Sequence, residues 1–443
     1  MSIILRNYQV EHTHKLLNVL CKHNCALDAS DTGTGKTYTT IKLCEFLSME
    51  PFIICPLSVI NVWVRLCEMN KTQIFGIANY EMIKNCKYYN YKMEVKECTF
   101  LGKSENKDFM FNLPRNIILI FDEAHKCKNY KSIASKLLIS AKRTNNKILL
   151  LSATIIDKIK FFKPFGSMFG LYKNTSDFIK WKNIQIKEKE KYFQCTNKDE
   201  IILRIIHNVM FPEYGSRMRK SDLGSQFKND IIFNCYTLEN HDHVHRLYIE
   251  INKHLEDLKN REKRGSALTQ ISIARQKIEM LKVPLFMELC LDGIENGCSV
   301  LIFVNFRKTM FQLANLLDVD CLVHGKQTKE ERQKSIDDFQ SNIKKIIILI
   351  IESGGTGISL HDIIGGHPRL SIVSPCFSGT NLEQSMGRTD REGKQTDSVY
   401  KLVFIANTYE EKICEIAKNK LNNIKLINDG KKVDKIIDQK DHF

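Results

Sequence analysis

Short apolar runs and helix-period segments alternate through both ends of the 443-residue chain. Phe52–Cys55, Ile117–Phe121 and Ile148–Leu151 form a first set of apolar runs, and Val300–Phe303, Ile346–Ile351, Ser371–Val373 and Val399–Phe404 form a second. Runs this short, with little polar alternation, predict strands covered on both faces. The helix-length segments between them predict crossovers, so each set predicts a parallel sheet. The chain therefore reads as α/β with two lobes. Between the two sets the pattern changes. From Ile155 to about Leu281 the chain is Lys-rich with interleaved aromatic residues, and helical periodicity runs over Asp177–Lys182 and Val244–Leu258. The reading is a first lobe at 1–155, a mostly helical insertion and linker at 156–281, and a second lobe at 282–443. The stretch Ile83–Pro114 reads as an irregular insertion in the first lobe, and the Lys- and Asp-rich tail after Lys420 as prone to fray.

Composition narrows the class. An apolar fraction of 43% and a charged fraction of 26% permit ordinary cores. No stretch reaches the roughly 20 uncharged apolar residues of a membrane span, and the start of the chain has no secretory pattern, so an intracellular protein with no membrane contact is expected. The 15 cysteines have no regular spacing and read as reduced core residues; Cys21, His23 and Cys25 are poorly spaced for zinc. A formal net charge of +15 fits either a solvated lysine-rich surface or a partner with many phosphates. The motifs tip this balance.

Ser30-Asp-Thr-Gly-Thr-Gly-Lys-Thr37 sits between a short predicted strand, Cys25–Ala29, and a helical pattern, Tyr38–Leu47. Small residues at Ser30, Thr32, Gly33, Thr34 and Gly35 let backbone N–H groups curl around phosphate oxygens at a helix N-terminus. Lys36 can reach the β and γ phosphates of ATP, and the Thr37 hydroxyl can ligate Mg²⁺. Ser30 stands where the strict pattern has Gly. Ile117–Phe121 ends in Asp122-Glu-Ala-His125. A carboxylate at a strand end can hold Mg²⁺, the role read for Asp122, and the next can orient an attacking water, the role read for Glu123. Ile148–Leu151 ends in Ser152-Ala-Thr154, whose hydroxyls can touch the acidic segment, His125 included, and report nucleotide state. In the second lobe, Gln384, Arg388 and Arg391 recur at i, i+4 and i+7, which predicts one helix face. Arginines can stabilise the charge that phosphoryl transfer builds, so Arg388 and Arg391 read as a finger pair, with Gln384 near the γ-phosphate. Lys158, Lys160, Lys163, Lys173, Lys180 and Lys182 are interleaved with Phe161, Phe162, Phe165 and Trp181. That pattern reads as a helix with aromatics inward, its lysines either solvated or holding phosphates.

These motifs, in this order, resemble superfamily 2 helicases of the DEAH-box type, and more closely the Swi/Snf-type ATPases of the kind found in large DNA viruses or phages. Asp122-Glu-Ala-His-Lys-Cys-Lys-Asn129, Ser353-Gly-Gly-Thr-Gly-Ile-Ser-Leu360 and Gln384 to Gln395 carry the likeness. It implies two RecA-like lobes. It also implies that Gln9, in Arg6-Asn-Tyr-Gln9, reads adenine, and that Ser58, Lys128, Gly355 and Thr356 contact nucleic acid. Three departures stand out. Ser152-Ala-Thr154 has the general helicase spelling, Asp390 stands where the family often has His, and the length leaves no room for a histone-reading extension. The resemblance implies an ATP- and Mg²⁺-dependent monomeric translocase acting on nucleic acid, with duplex or forked DNA favoured. A strand-separating DNA or RNA helicase is the alternative, as is a viral transcript-release ATPase working with an RNA polymerase; a replication factor is a further possible partner. If viral, the protein would work in the host cytoplasm, nucleus or virion.

Overall fold

The computed structural model describes the chain except residues 1–2, 104–107, 194, 196, 220–228, 238–240, 258–263, 355–357, 377, 392, 407–408, 432–436 and 443. Two compact units emerge. The first comprises Met1–Asp222 with Leu421–Lys432, and the second Leu223–Lys420 with Val433–Phe443. The segment read as a separate insertion is thus shared out: residues 156–222 fold with the first unit and 223–281 with the second.

The first unit holds ten described strands: β1 (Cys25–Asp28), β2 (Glu50–Cys55), β3 (Gly76–Asn79), β4 (Lys87–Tyr89), β5 (Val95–Glu97), β6 (Leu101–Lys103), β7 (Phe109–Phe111), β8 (Ile117–Asp122), β9 (Lys147–Leu151) and β10 (Gly215–Ser216). Eight form one sheet in the order β10-β1-β9-β8-β2-β3-β4-β5. The run from β10 to β3 is parallel, and β4 and β5 join antiparallel. The expected irregular insertion at 83–114 therefore carries four short antiparallel strands among its described residues, with β6 and β7 pairing separately. These strands are three residues long, with β5 exposed throughout and only single residues such as Leu101 and Phe109 buried, so none carries the apolar run of a doubly covered strand.

Successive residues of the parallel strands feed opposite faces, and both faces are covered, which is why the runs carry almost no polar residue. Ile53, Ile118, Ile120 and Leu149 pack with Leu16, Leu20, Ile41 and Trp63 on one side. Phe52, Leu119, Phe121 and Leu150 pack with Leu137, Phe162, Phe165 and Ile202 on the other. Leu426 and Ile427 belong to this second cluster. The tail after Lys420 therefore does not fray at once: the helix Tyr409–Asp429 continues through it, its apolar residues at 421, 424, 426 and 427 buried. The aromatics of the insertion also point inward, with Phe162 and Phe165 fully buried and Trp181 packed on Phe162, Tyr172 and Phe178.

The second unit is a seven-stranded sheet of β11 (Asn229–Thr237), β12 (Ser299–Val304), β13 (Leu322–Val323), β14 (Ile346–Ile350), β15 (Arg369–Val373), β16 (Ser398–Ile405) and β17 (Ile437–His442). Their order is β13-β14-β12-β15-β16-β11-β17, and every pairing is parallel. Its core sets Val300, Ile302 and Val304 against Phe286, Leu289, Met310 and Leu313 from flanking helices. Two sheets, the first parallel from β10 to β3 and the second parallel throughout, make the two lobes that the run pattern predicts, and they are RecA-like, as the resemblance implies. No described helix is long and apolar enough to cross a membrane.

Candidate active site

In a parallel sheet, ligands bind beyond the carboxyl ends of the strands. β1, β9 and β8 are neighbours, and their registers place Asp28, Leu151 and Asp122 side by side. The Ser30–Thr37 loop, Ser152-Ala-Thr154 and the Asp122–His125 segment therefore leave the sheet at one edge. Ser152 N–H donates to Asp28 O (3.1 Å), which ties two of these exits together.

The loop is shaped by two left-handed glycines, Gly33 (φ 83°) and Gly35 (φ 93°). A Cβ on Gly35 would lie 2.3 Å from Gln9 Nε2, so this position needs glycine for space as well as backbone. Gln9 donates to Thr34 O (3.0 Å) and accepts from Arg6 N–H (3.0 Å). Lys36 opens the helix Lys36–Leu47, with Thr37 half-buried beside it, and its Nζ donates to Ser30 O (2.8 Å) and Asp31 O (3.1 Å). Thr32 is half-buried in the loop.

Ser30, the departure from the strict pattern, has a structural reason. Its Oγ accepts from Met218 N–H (2.9 Å) and lies 3.2 Å from His12 Nε2. His12 is itself buried, with Nε2 3.1 Å from Asp28 Oδ1 and Nδ1 3.0 Å from Ser216 Oγ. A glycine would leave this polar cluster short of a hydroxyl. Burial works against the Asp28 charge, yet His12, Lys36 and the Ser30 side chain together outweigh it and hold the carboxyl below its ordinary range. The triad-like grouping of Asp28, His12 and Ser30 is fully enclosed; it props the loop from beneath.

Asp122 ends β8. Its carboxylate accepts from Trp63 Nε1–H (2.9 Å) and Glu123 N–H (2.9 Å), and its carbonyl from Tyr80 Oη–H (2.8 Å). Burial, then the neighbouring Glu123 charge, pushes its pKa up to about 6, against the pull of Trp63 and Lys36. A strand-end carboxylate held at such cost fits a place where a cation is expected. Glu123 adopts φ 52°, a strained turn that aims its carboxylate at His125: Glu123 Oε2 and His125 Nδ1 are 3.2 Å apart. His125 Nδ1 is also 3.3 Å from Ser152 Oγ. The expected touch between the acidic segment and Ser152 is present; Thr154 contributes its N–H to Ser152 Oγ (3.3 Å).

Other expected residues sit differently. Trp63 is 1% exposed and spends its indole N–H on Asp122. Ser58 is exposed on the short helix Leu57–Val59. Lys128 pairs with Asp157 (3.1 Å) and lies over the Phe161 ring. Gly355 and Thr356 lie outside the described residues. In the second unit the helix predicted to carry Gln384, Arg388 and Arg391 on one face, Gly379–Met386, stops before the arginines. Gly387 ends it, so Gln384 is helical while Arg388 and Arg391 occupy the turn beyond. Arg388 is buried and donates to Ile358 O (3.1 Å); Arg391 donates to Ser359 Oγ (2.8 Å). These bonds pin the turn to the segment after residue 357. Asp390 forms a buried pair with Lys394 (3.0 Å), which accounts for an acid at that position.

A glycine-shaped loop, an acidic strand end and a hydroxyl-bearing segment leave adjacent parallel strands of the first unit, and the second parallel unit carries a paired-arginine turn. The comparisons carry this to a family. Residues 2–157 match the family described as Type III restriction enzyme, res subunit, and residues 281–393 the Helicase conserved C-terminal domain. A protein of Acanthamoeba polyphaga mimivirus named as an ATP-dependent RNA helicase is 36% identical over 96% of this chain and 83% of its own length. Chromodomain-helicase-DNA-binding protein 1 of Gallus gallus is 24% identical over 95% of this chain, which spans only 26% of that protein. The structure of S. cerevisiae Dbp5 bound to RNA and ADP BeF3 shares the fold, with a TM-score of 0.50 at 14% identity, covering 97% of this chain and 89% of that one. The chain belongs to the superfamily 2 helicases, the ATP-dependent helicases and translocases whose ATPase depends on nucleic acid.

Proposed function

We propose that the protein is an ATP-driven translocase acting on duplex or forked DNA. The observation that carries the motor half is the convergence of Lys36, Asp122, Glu123, His125 and Ser152 at three neighbouring strand ends. The donor set fits ATP and Mg²⁺: a left-handed glycine loop offers N–H groups to phosphate oxygens, and a hydroxyl and a carboxylate, Thr37 and Asp122, would hold the metal. Mg²⁺, when bound, supplies charge neutralisation at the phosphates. Lys36 would exchange its loop carbonyls for the β and γ phosphates, and Gln9, bonded to the loop at Thr34 O, would read the base. Glu123 would orient the attacking water. His125, within reach of both Glu123 and Ser152, would pass nucleotide state to the Ser152–Thr154 segment. Arg388 and Arg391 would stabilise the γ-phosphate, with Gln384 alongside. Ser58, Lys128, Gly355 and Thr356 would face the nucleic acid.

DNA is favoured because likeness to a chromodomain-helicase-DNA-binding protein runs over 95% of this chain, and the charge of +15 suits a phosphate backbone. The second reading, a strand-separating RNA helicase, is favoured by the name of the mimivirus relative. ATP hydrolysis measured with no nucleic acid, single-stranded DNA, duplex DNA, forked DNA and RNA separates them, with Lys36→Ala as the blank. Stimulation chiefly by duplex or forked DNA is expected; stimulation chiefly by RNA would transfer the case to the second reading.

A further inference from the structure

The segment Leu421–Gly430 is seated on the first unit through a set of specific contacts. Leu426 and Ile427 fill its core. Two carbonyls at the end of the helix Tyr409–Asp429 are captured: His207 Nδ1 lies 2.9 Å from Ile427 O, and Arg204 Nη1 donates to Gly430 O (2.7 Å). Asn428 donates to Ala153 O (2.7 Å), inside the Ser152–Thr154 segment, and Asn423 to Asp157 O (3.1 Å). Gly430 (φ 68°) turns the chain where a Cβ would press on His207.

Asp429 is the last residue of that helix, where an acid opposes the helix dipole. It is held there by cations: Arg219 Nε at 2.7 Å, Arg217 Nε at 3.0 Å and Lys425 Nζ at 3.7 Å. Of these, Arg217 is nearly enclosed, its side chain 4% exposed, and it reaches the phosphate loop. Its Nη1 donates to Ala29 O (2.7 Å) and its Nη2 to Asp31 Oδ1 (2.5 Å). Asp31 is a node of that loop. Its N–H donates to Met218 O (3.0 Å), while its carbonyl accepts from Thr34 Oγ1 (2.9 Å) and Lys36 Nζ (3.1 Å). One rigid guanidinium fork thus joins the seated C-terminal segment to the loop.

We propose that Arg217 is a positioning residue for nucleotide binding, through which the seating of Leu421–Gly430 pre-organises the Ser30–Thr37 loop. Arg217 Nε faces Asp429 as an ion pair while Nη1 and Nη2 hold Ala29 and Asp31, so one planar group carries all three contacts and loss of the Asp429 charge removes one of its three restraints. With the segment seated the loop is held ready; with it displaced the loop samples other shapes and binds nucleotide less well. The proposal rests on the reading of that loop as the ATP site.

The test uses the full chain without nucleic acid and a fluorescent ADP as probe, with hydrogen exchange of the Ser30–Gly35 amides as a readout independent of hydrolysis. Asp429→Asn, nearly isosteric and still anchored by its neighbours, is expected to raise the Kd about ten-fold, within the 5- to 150-fold range of such couplings, and to speed exchange in the loop. Arg217→Lys should do likewise, and the double variant should be no weaker than the worse single one. Asn423→Ala, which removes a seat contact remote from Arg217, should change the Kd by less than two-fold. A Kd for Asp429→Asn within two-fold of the parent would overturn the proposal, as would effects of the two variants that multiply. A tighter Kd would also overturn it, since Asp429 would then act only as a charge opposing the phosphates. If Lys36→Ala binds the probe as well as the parent, the loop reading itself fails; if Lys36→Ala loses binding while Asp429→Asn keeps it, only the role of Arg217 falls.

Discussion

Trp63 illustrates how far a residue's job depends on what stands opposite it. The body of its indole is core; its one polar atom is spent on Asp122. Removing that donor in Trp63→Phe withdraws a contact that favours the charged carboxylate, so the Asp122 pKa should climb above about 6. A carboxyl with a raised pKa is protonated below it and ionised above it. The acid limb of the kcat/KM profile for ATP should therefore lie near pH 6 in the parent and move upward in the variant. The expected outcome is several-fold greater loss of activity at pH 6.5 than at pH 8.5, read from phosphate release across that range. A limb that stays put would show that Trp63 only fills space. Stability carries the same sign: the folded state holds this proton more tightly than the unfolded chain, so the nucleotide-free protein should lose stability as pH rises from about 4 to about 6. The residues of the site that sequence made legible were those with a local signature: Lys36 and Thr37 behind glycines, Asp122 and Glu123 after an apolar run. His12, Arg217 and Asp429 carry no such signature. They act through partners 16, 186 and 212 positions away at Asp28, Asp31 and Arg217, and only folding brings those partners together.

At the scale of elements, the strongest signals were the doubly covered strands, because burial on both faces strips them of polar residues. β2, β8, β9, β12 and β14 were legible for that reason. β10 was not: two residues long, it is recruited to the edge of the sheet beside β1 by backbone pairing alone. The helix at Gly379–Met386 was over-read in the other direction. Periodicity at 384, 388 and 391 persists past the point where Gly387 closes the last turn, and hydrogen bonds to Ile358 and Ser359, not helical spacing, place the arginines. The ends of β8 and β9 meet through His125 and Ser152, and this joint invites a direct test. Ser152→Ala removes a buried hydroxyl at a cost of about 1 kcal/mol, too little to unfold the lobe. ATP hydrolysis stimulated by nucleic acid should stay within about three-fold of the parent, while strand or triplex displacement per ATP should drop about ten-fold, as expected for a coupling of 1–3 kcal/mol. Equal loss of both would remove Ser152 from the coupling path.

For the molecule as a whole, charge gives the broadest prediction. If the excess of 66 Lys and Arg over 51 Asp and Glu serves a nucleic-acid backbone, affinity for a duplex of random sequence should fall steeply with salt. Six phosphate contacts would cost about 10³-fold between 50 and 200 mM, measurable by fluorescence anisotropy. A flat salt response would mean that the lysines merely solvate the surface. The two units also differ from the lobes that the run pattern suggested, because the first recruits Leu421–Lys432 from beyond most of the second. That recruitment matters while the protein is being made. When the ribosome has finished Asp222, the nascent first unit still lacks Leu426 and Ile427 from its core, along with the anchor for Arg217. At 5–20 residues per second, translating the intervening Leu223–Lys420 takes about 10–40 s, during which the notch stays open to water and to chaperones. The first unit is thus completed only once Leu421–Lys432 has been made, and a chain interrupted before Leu421 should be bound by holdases rather than released as a working ATPase fragment.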